Sequence, residues 1–90
     1  MEVSNIENAN AQLNLIVSSL SAIWSELLNH ESIKLDDSFF FLGSDSITVL
    51  KLLFRVEQTF QVRLLFRDIF DNPTIYSQSL LIQERVNNLD

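Results

Sequence analysis

Ser44, Asp45 and Ser46 follow directly on the chain's single glycine, Gly43, and lead into an apolar-periodic run that opens at Ile47. Short oxygen-bearing side chains accept hydrogen bonds from the free N–H groups at a helix start, so all three mark a helix N-terminus without fixing which of them caps it. Gly43 gives the chain freedom to turn sharply just before. At such a terminus the exposed N–H groups and the helix dipole favour an attached anion, and a phosphodiester on Ser46 would suit that environment. On this local physics alone, plain capping is the commoner role for such a serine. Hydrolytic chemistry needs a base and an orienting acid as well as the nucleophile. The chain has one histidine, His30, and Gly43-Ser44-Asp45-Ser46-Ile47 is not the Gly-x-Ser-x-Gly elbow of serine hydrolases, so no catalytic residues are expected. Asp36, Asp37 and Asp45 lack the spacing and terminal glutamate of a calcium loop and read as turn and cap residues. With no cysteine either, no metal site is expected. His30 reads as an exposed residue at a helix end.

The elements that must position this segment are helical. One glycine and one proline in 90 residues leave few breakers. Leu13, Ile16, Val17, Leu20, Ile23, Trp24, Leu27 and Leu28 recur at three- and four-residue spacing, which predicts a first helix from about Ala11 to Asn29. Residues 1–10 are polar and are expected to fray, leaving 11–88 as a single domain. A long connection follows, from His30 to Ser44, with Ile33, Leu35, Phe39, Phe40, Phe41 and Leu42 as its apolar anchors. The second helix is predicted over Ser46–Phe60, and a short helical piece over Phe66–Phe70. Asn72 is the expected cap of the last helix, with Pro73 at its first position and its end near Asn88. The fold class is all-α: a four-helix bundle with a long first loop and a short third helix.

Steps of 100° along the second helix place Val49, Leu52, Leu53, Val56 and Phe60 on one stripe, the core face. Ile47 and Phe54 fall on the opposite side, with Leu50 between the two faces and Lys51 and Arg55 bordering the outer patch. An apolar patch rimmed by cations beside an exposed serine fits a partner docking surface, unless a neighbouring loop covers it.

Composition sets the outer limits. An apolar fraction of 47% suits a globular chain, and 90 residues suffice for one domain. The net charge of −6 repels nucleic-acid phosphates and attracts proteins with basic docking surfaces, or serves only solubility. The amino terminus has no signal-peptide pattern and no apolar run approaches membrane-spanning length, so a cytoplasmic protein with no membrane partner is expected.

Phe39-Phe40-Phe41-Leu42-Gly43-Ser44-Asp45-Ser46-Ile47 resembles the modification motif of carrier domains in non-ribosomal peptide synthetases. Val62-Arg63-Leu64-Leu65-Phe66-Arg67-Asp68-Ile69-Phe70-Asp71-Asn72-Pro73-Thr74-Ile75 is similar to the stretch leading into that family's final helix, and Trp24 with Leu27-Leu28 sits where its first helix ends. The resemblance implies a bundle of acyl carrier type with 4'-phosphopantetheine from coenzyme A on Ser46. Asp45 would present the site to a phosphopantetheinyl transferase that holds magnesium. The partners implied are that transferase, an adenylating enzyme, and condensation or thioesterase enzymes. Leu42, Ile47, Leu50, Lys51, Phe54, Arg55 and Phe66 form the expected interface of a monomeric, non-catalytic, free-standing carrier of aminoacyl, acyl or peptidyl thioesters. Three residues depart from the family pattern: Ser44 replaces a glycine, Leu65 a frequent proline, and Gln78 an apolar residue. A fatty-acid or polyketide acyl carrier is the alternative, disfavoured because the helix after the serine is apolar and cationic rather than acidic. A second alternative is an unmodified helical adaptor using the same patch.

Overall fold

The computed structural model describes residues 2–88, with side chains described from residue 8 onward. Four helices follow one another: α1 (Glu2–Leu28), α2 (Ser46–Phe60), α3 (Phe66–Asp71) and α4 (Ile75–Asn87). The all-α bundle with a long first loop and a short third helix is therefore as expected.

Two helix starts differ from the sequence expectation. α1 begins at Glu2 rather than near Ala11. Its first turns contain neither glycine nor proline, and once a helix is nucleated each further residue adds a bond at little cost. α4 also holds this end: Gln83 Nε2 donates to the Ala9 carbonyl at 2.9 Å, and Gln12 Nε2 to Asn87 Oδ1 at 3.1 Å. Of the tail expected to fray, Met1 and the side chains of residues 1–7 lie outside the described residues. α4 starts at Ile75, after Pro73, and its cap is Thr74 rather than Asn72. Thr74 and Ser77 satisfy each other's backbone N–H groups at 3.1 and 3.2 Å, a reciprocal box that the Asn72 side chain is placed too early to form. Asn72 instead closes α3, its amide donating to the Asp68 carbonyl at 3.0 Å.

The core draws on every helix and on the loop: Leu20, Trp24, Phe39, Leu52, Ile69, Ile75 and Ile82 are fully buried. Each such side chain contributes roughly 1.5–3 kcal/mol by leaving water. Trp24 meets Phe39 edge-on at 4.8 Å between ring centroids. Gln78 is also fully buried, and its Oε1 accepts from Trp24 Nε1–H at 3.1 Å. A polar residue in the core thus satisfies the indole of α1 and fixes how α4 lies on it.

Candidate functional site at the start of α2

The loop from His30 to Ser44 is held by its backbone as well as its side chains. Phe39 N–H donates to the Pro73 carbonyl at 2.7 Å, and Tyr76 N–H to the Leu35 carbonyl at 3.1 Å. An isolated antiparallel bridge between Ser38 and Thr74 completes this seam to the α3–α4 junction. Phe41 N–H returns to the Ser38 carbonyl at 3.1 Å, and this turn sends Phe39 inward and Phe41 outward. Phe41, expected as an anchor, is 91% exposed, and Leu35 is also exposed. A tight turn cannot aim three successive phenylalanines at one core.

Gly43 then adopts φ +96°, a conformation that side-chain-bearing residues rarely take, and nothing lies within 4 Å of where a Cβ would stand. Its requirement is therefore conformational rather than spatial. Ser44 is half-buried, and among the described residues its hydroxyl has no partner.

Asp45 caps α2. Its backbone is extended, and Oδ1 accepts from Thr48 N–H at 2.8 Å and from Thr48 Oγ1 at 2.7 Å. The Thr48 backbone bond, then the Thr48 hydroxyl, hold its carboxyl below the usual aspartate value. Ser46 is the first residue of α2 and is exposed. Because Asp45 does the capping, the Ser46 hydroxyl is left outside the cap, at the positive end of a 15-residue helix. An accessible hydroxyl at the N-terminal end of a helix is the group on which a serine-linked phosphodiester forms, so these residues fit 4'-phosphopantetheine.

Along α2, Val49, Leu52 and Val56 are buried, whereas Ile47, Leu50 and Phe54 are 62%, 54% and 61% exposed. With Leu27 of α1 and the cations Lys51 and Arg55, these three line a shallow hollow of about 420 Å³. Arg55 is paired with Glu26 of α1 at 3.1 Å. Leu42 and Phe66 do not line it: both are half-buried against the core, and Phe66 stacks on Phe70 at 5.9 Å. Phe70 also stacks on Phe40 at 4.8 Å, so Phe66 and Phe70 form a separate aromatic ledge on α3. The sequence places Leu27 on α1's core stripe, so its spacing gave no sign that it also lines the hollow. The place of Phe70 on the ledge was not legible because a six-residue helix carries too little periodicity to separate its faces.

A family model described as the phosphopantetheine attachment site matches residues 18–82. A plipastatin synthase of Bacillus subtilis (strain 168) is 33% identical over 79 residues, which is 88% of this chain and 2% of that protein. The chain thus spans about one-fiftieth of that relative's length. Among solved structures, McyG A-PCP complexed with phenylalanyl-adenylate is similar with TM-score 0.72 and 31% identity, over 74% of this chain and 10% of that one. A chain of the phosphopantetheine transferase Sfp complex with coenzyme A and a peptidyl carrier protein gives TM-score 0.76 and 27% identity, over 78% of this chain and 91% of that one.

Proposed function

The chain belongs to the phosphopantetheine attachment-site family, and from that premise we propose that it is a peptidyl carrier, or thiolation, domain of non-ribosomal peptide biosynthesis, modified on Ser46. The observation that carries this is the division of roles at the start of α2: Asp45 supplies the cap and leaves the neighbouring hydroxyl exposed. When bound, 4'-phosphopantetheine supplies a terminal thiol that holds an acyl, aminoacyl or peptidyl unit as a thioester. The part of Ser46 is to present its oxygen to a transferase. That oxygen would form the new bond to the phosphorus bearing the pantetheine arm as the pyrophosphate P–O bond of coenzyme A breaks. Adenosine 3',5'-bisphosphate leaves, and the serine proton passes to a base of the transferase. Asp45 acts first as a positioning residue, since its hold on Thr48 fixes the turn on which Ser46 stands. Presenting the site to the transferase and its metal is its second role.

Catalysis is supplied by partners: the phosphopantetheinyl transferase, an adenylating enzyme that loads the thiol, and condensation or thioesterase enzymes that unload it. The apolar and cationic outer face of α2 supports the peptide-synthetase type over a fatty-acid or polyketide acyl carrier. The test is incubation of the chain with coenzyme A and a broad-specificity transferase, followed by intact mass. The expected result is a single phosphopantetheine adduct on the wild type and none on Ser46→Ala. An unmodified wild type would leave the adaptor reading in its place.

A further inference from the structure

The hollow between α1 and α2 carries a charge pattern opposite to that of the whole molecule. The chain's net charge is −6, which at long range favours basic surfaces. At contact range the hollow has an apolar floor of Leu27, Ile47, Leu50 and Phe54, and its charged lining residues are both cations, Lys51 and Arg55. Charges beyond roughly 8 Å are screened at physiological salt, so a docked side chain meets these two cations and the carboxylate of Glu26 beside Arg55 rather than the net charge of the chain. Ile47, Lys51 and Arg55 stand four residues apart and therefore form one row along α2. Arg55 already has a carboxylate, Glu26 at 3.1 Å, in a pair with side chains 33% and 61% exposed. Among the described residues Lys51 has none within ion-pair distance.

We propose that this hollow selects a protein surface presenting one large apolar side chain flanked by carboxylates, and that Glu26 acts as a built-in competitor for Arg55. A partner carboxylate reaches Lys51 directly and gains Arg55 only by displacing Glu26. An exposed pair of that kind is worth little, so the displacement is cheap. A lysine or arginine brought to the same rim meets like charge, which excludes partners built with basic docking surfaces. The identity of the partner as a loading or unloading enzyme rests on the carrier reading above; the charge selection does not.

The test titrates the full 90-residue chain, observed by amide NMR, with two synthetic helical peptides. Both carry the same Leu/Phe face, one rimmed with Glu and the other with Lys. The Glu peptide is expected to bind at least about threefold tighter, the net gain of about one ordinary surface ion pair at Lys51, since the pair at Arg55 only replaces that with Glu26. Shifts should centre on Leu27, Ile47, Leu50 and Phe54, and high salt should narrow the gap between the peptides. Lys51→Gln and Arg55→Gln should each weaken the Glu peptide, while Glu26→Gln should tighten it by about twofold, as expected for release of one exposed pair. Far-UV circular dichroism checks that each variant is folded. Equal or tighter binding of the Lys peptide would overturn the proposal. So would binding of neither at millimolar concentration, shifts centred on Phe66 and Phe70, or no gain in Glu26→Gln. Ser46 modification is read separately by mass: an adduct without the charge preference sinks this inference alone, and absence of the adduct sinks the carrier reading alone.

Discussion

Asp45 and Ser46 are neighbours with similar capacity to cap a helix, and the backbone assigns the task to Asp45. The consequence is measurable. Ser46→Ala removes an exposed first-turn hydroxyl that closes no cap, so its stability should stay within about 0.5 kcal/mol of wild type by urea denaturation. Loss of the mass adduct in that variant then reports chemistry rather than unfolding. Asp45→Ala, by contrast, should lower Tm by a few degrees, because Thr48 N–H loses its partner. The same carboxylate gives a pH signature. Its pKa is depressed in the fold, so its contribution is fully present above the unfolded aspartate value of about 3.9 and is lost as pH falls through the lower folded value. Asparagine caps without titrating. The Tm difference between wild type and Asp45→Asn should therefore shrink below about pH 4, and a constant difference across that range would argue against the cap as the cause.

At the scale of elements, α4 lies on α1 through a polar contact set in the core. Gln78 and Trp24 are both fully buried and joined at 3.1 Å, while Gln78 Nε2 has no partner among the described residues. Gln78→Ala would leave a cavity and an unpaired indole N–H, an expected loss of roughly 2–4 kcal/mol in chemical denaturation. A double-mutant cycle of Trp24→Phe with Gln78→Leu should return a coupling of about 1 kcal/mol, since each single change strands the other group. Additive losses would show that the pair only shares space. Arg85 ties α4 to the segment around α3, donating to the Arg63 carbonyl at 3.3 Å and approaching Asp68 at 3.5 Å. That carboxylate also caps α3 through Leu65 N–H at 2.7 Å, so one buried acid serves two elements.

For the whole molecule, one core spans the four helices and the first loop, with no second cluster among the described residues to unfold separately. Trp24 in that core and backbone helicity should therefore lose their native signals together. Fluorescence and far-UV circular dichroism melting curves are expected to coincide, and separated midpoints would contradict a single cooperative unit. α1 runs antiparallel to α4, with Trp24 opposite Gln78 and Gln12 opposite Asn87. Leu27, near the end of α1, shares the hollow with α2 residues from Ile47 to Arg55.

The sequence by itself determined what local rules can encode. Hydrophobic spacing gave α2 its span and its buried stripe. Cap-forming residues after a glycine marked the start of α2, and the motif around Ser46 with the segment into α4 carried the family. α1's length and α4's first residue were less legible, because extension and capping depend on small differences among chemically able neighbours. Tertiary structure alone decided the rest. Gln78 becomes a core residue only because Trp24, 54 positions away, brings it an indole N–H. Leu42 and Phe66 pack against the core, and Leu27, packed on that same core, also edges the hollow. The physical reason is the same in each case: periodicity assigns a side chain to a face of its own helix, but only the packed neighbours determine whether that face meets protein or water.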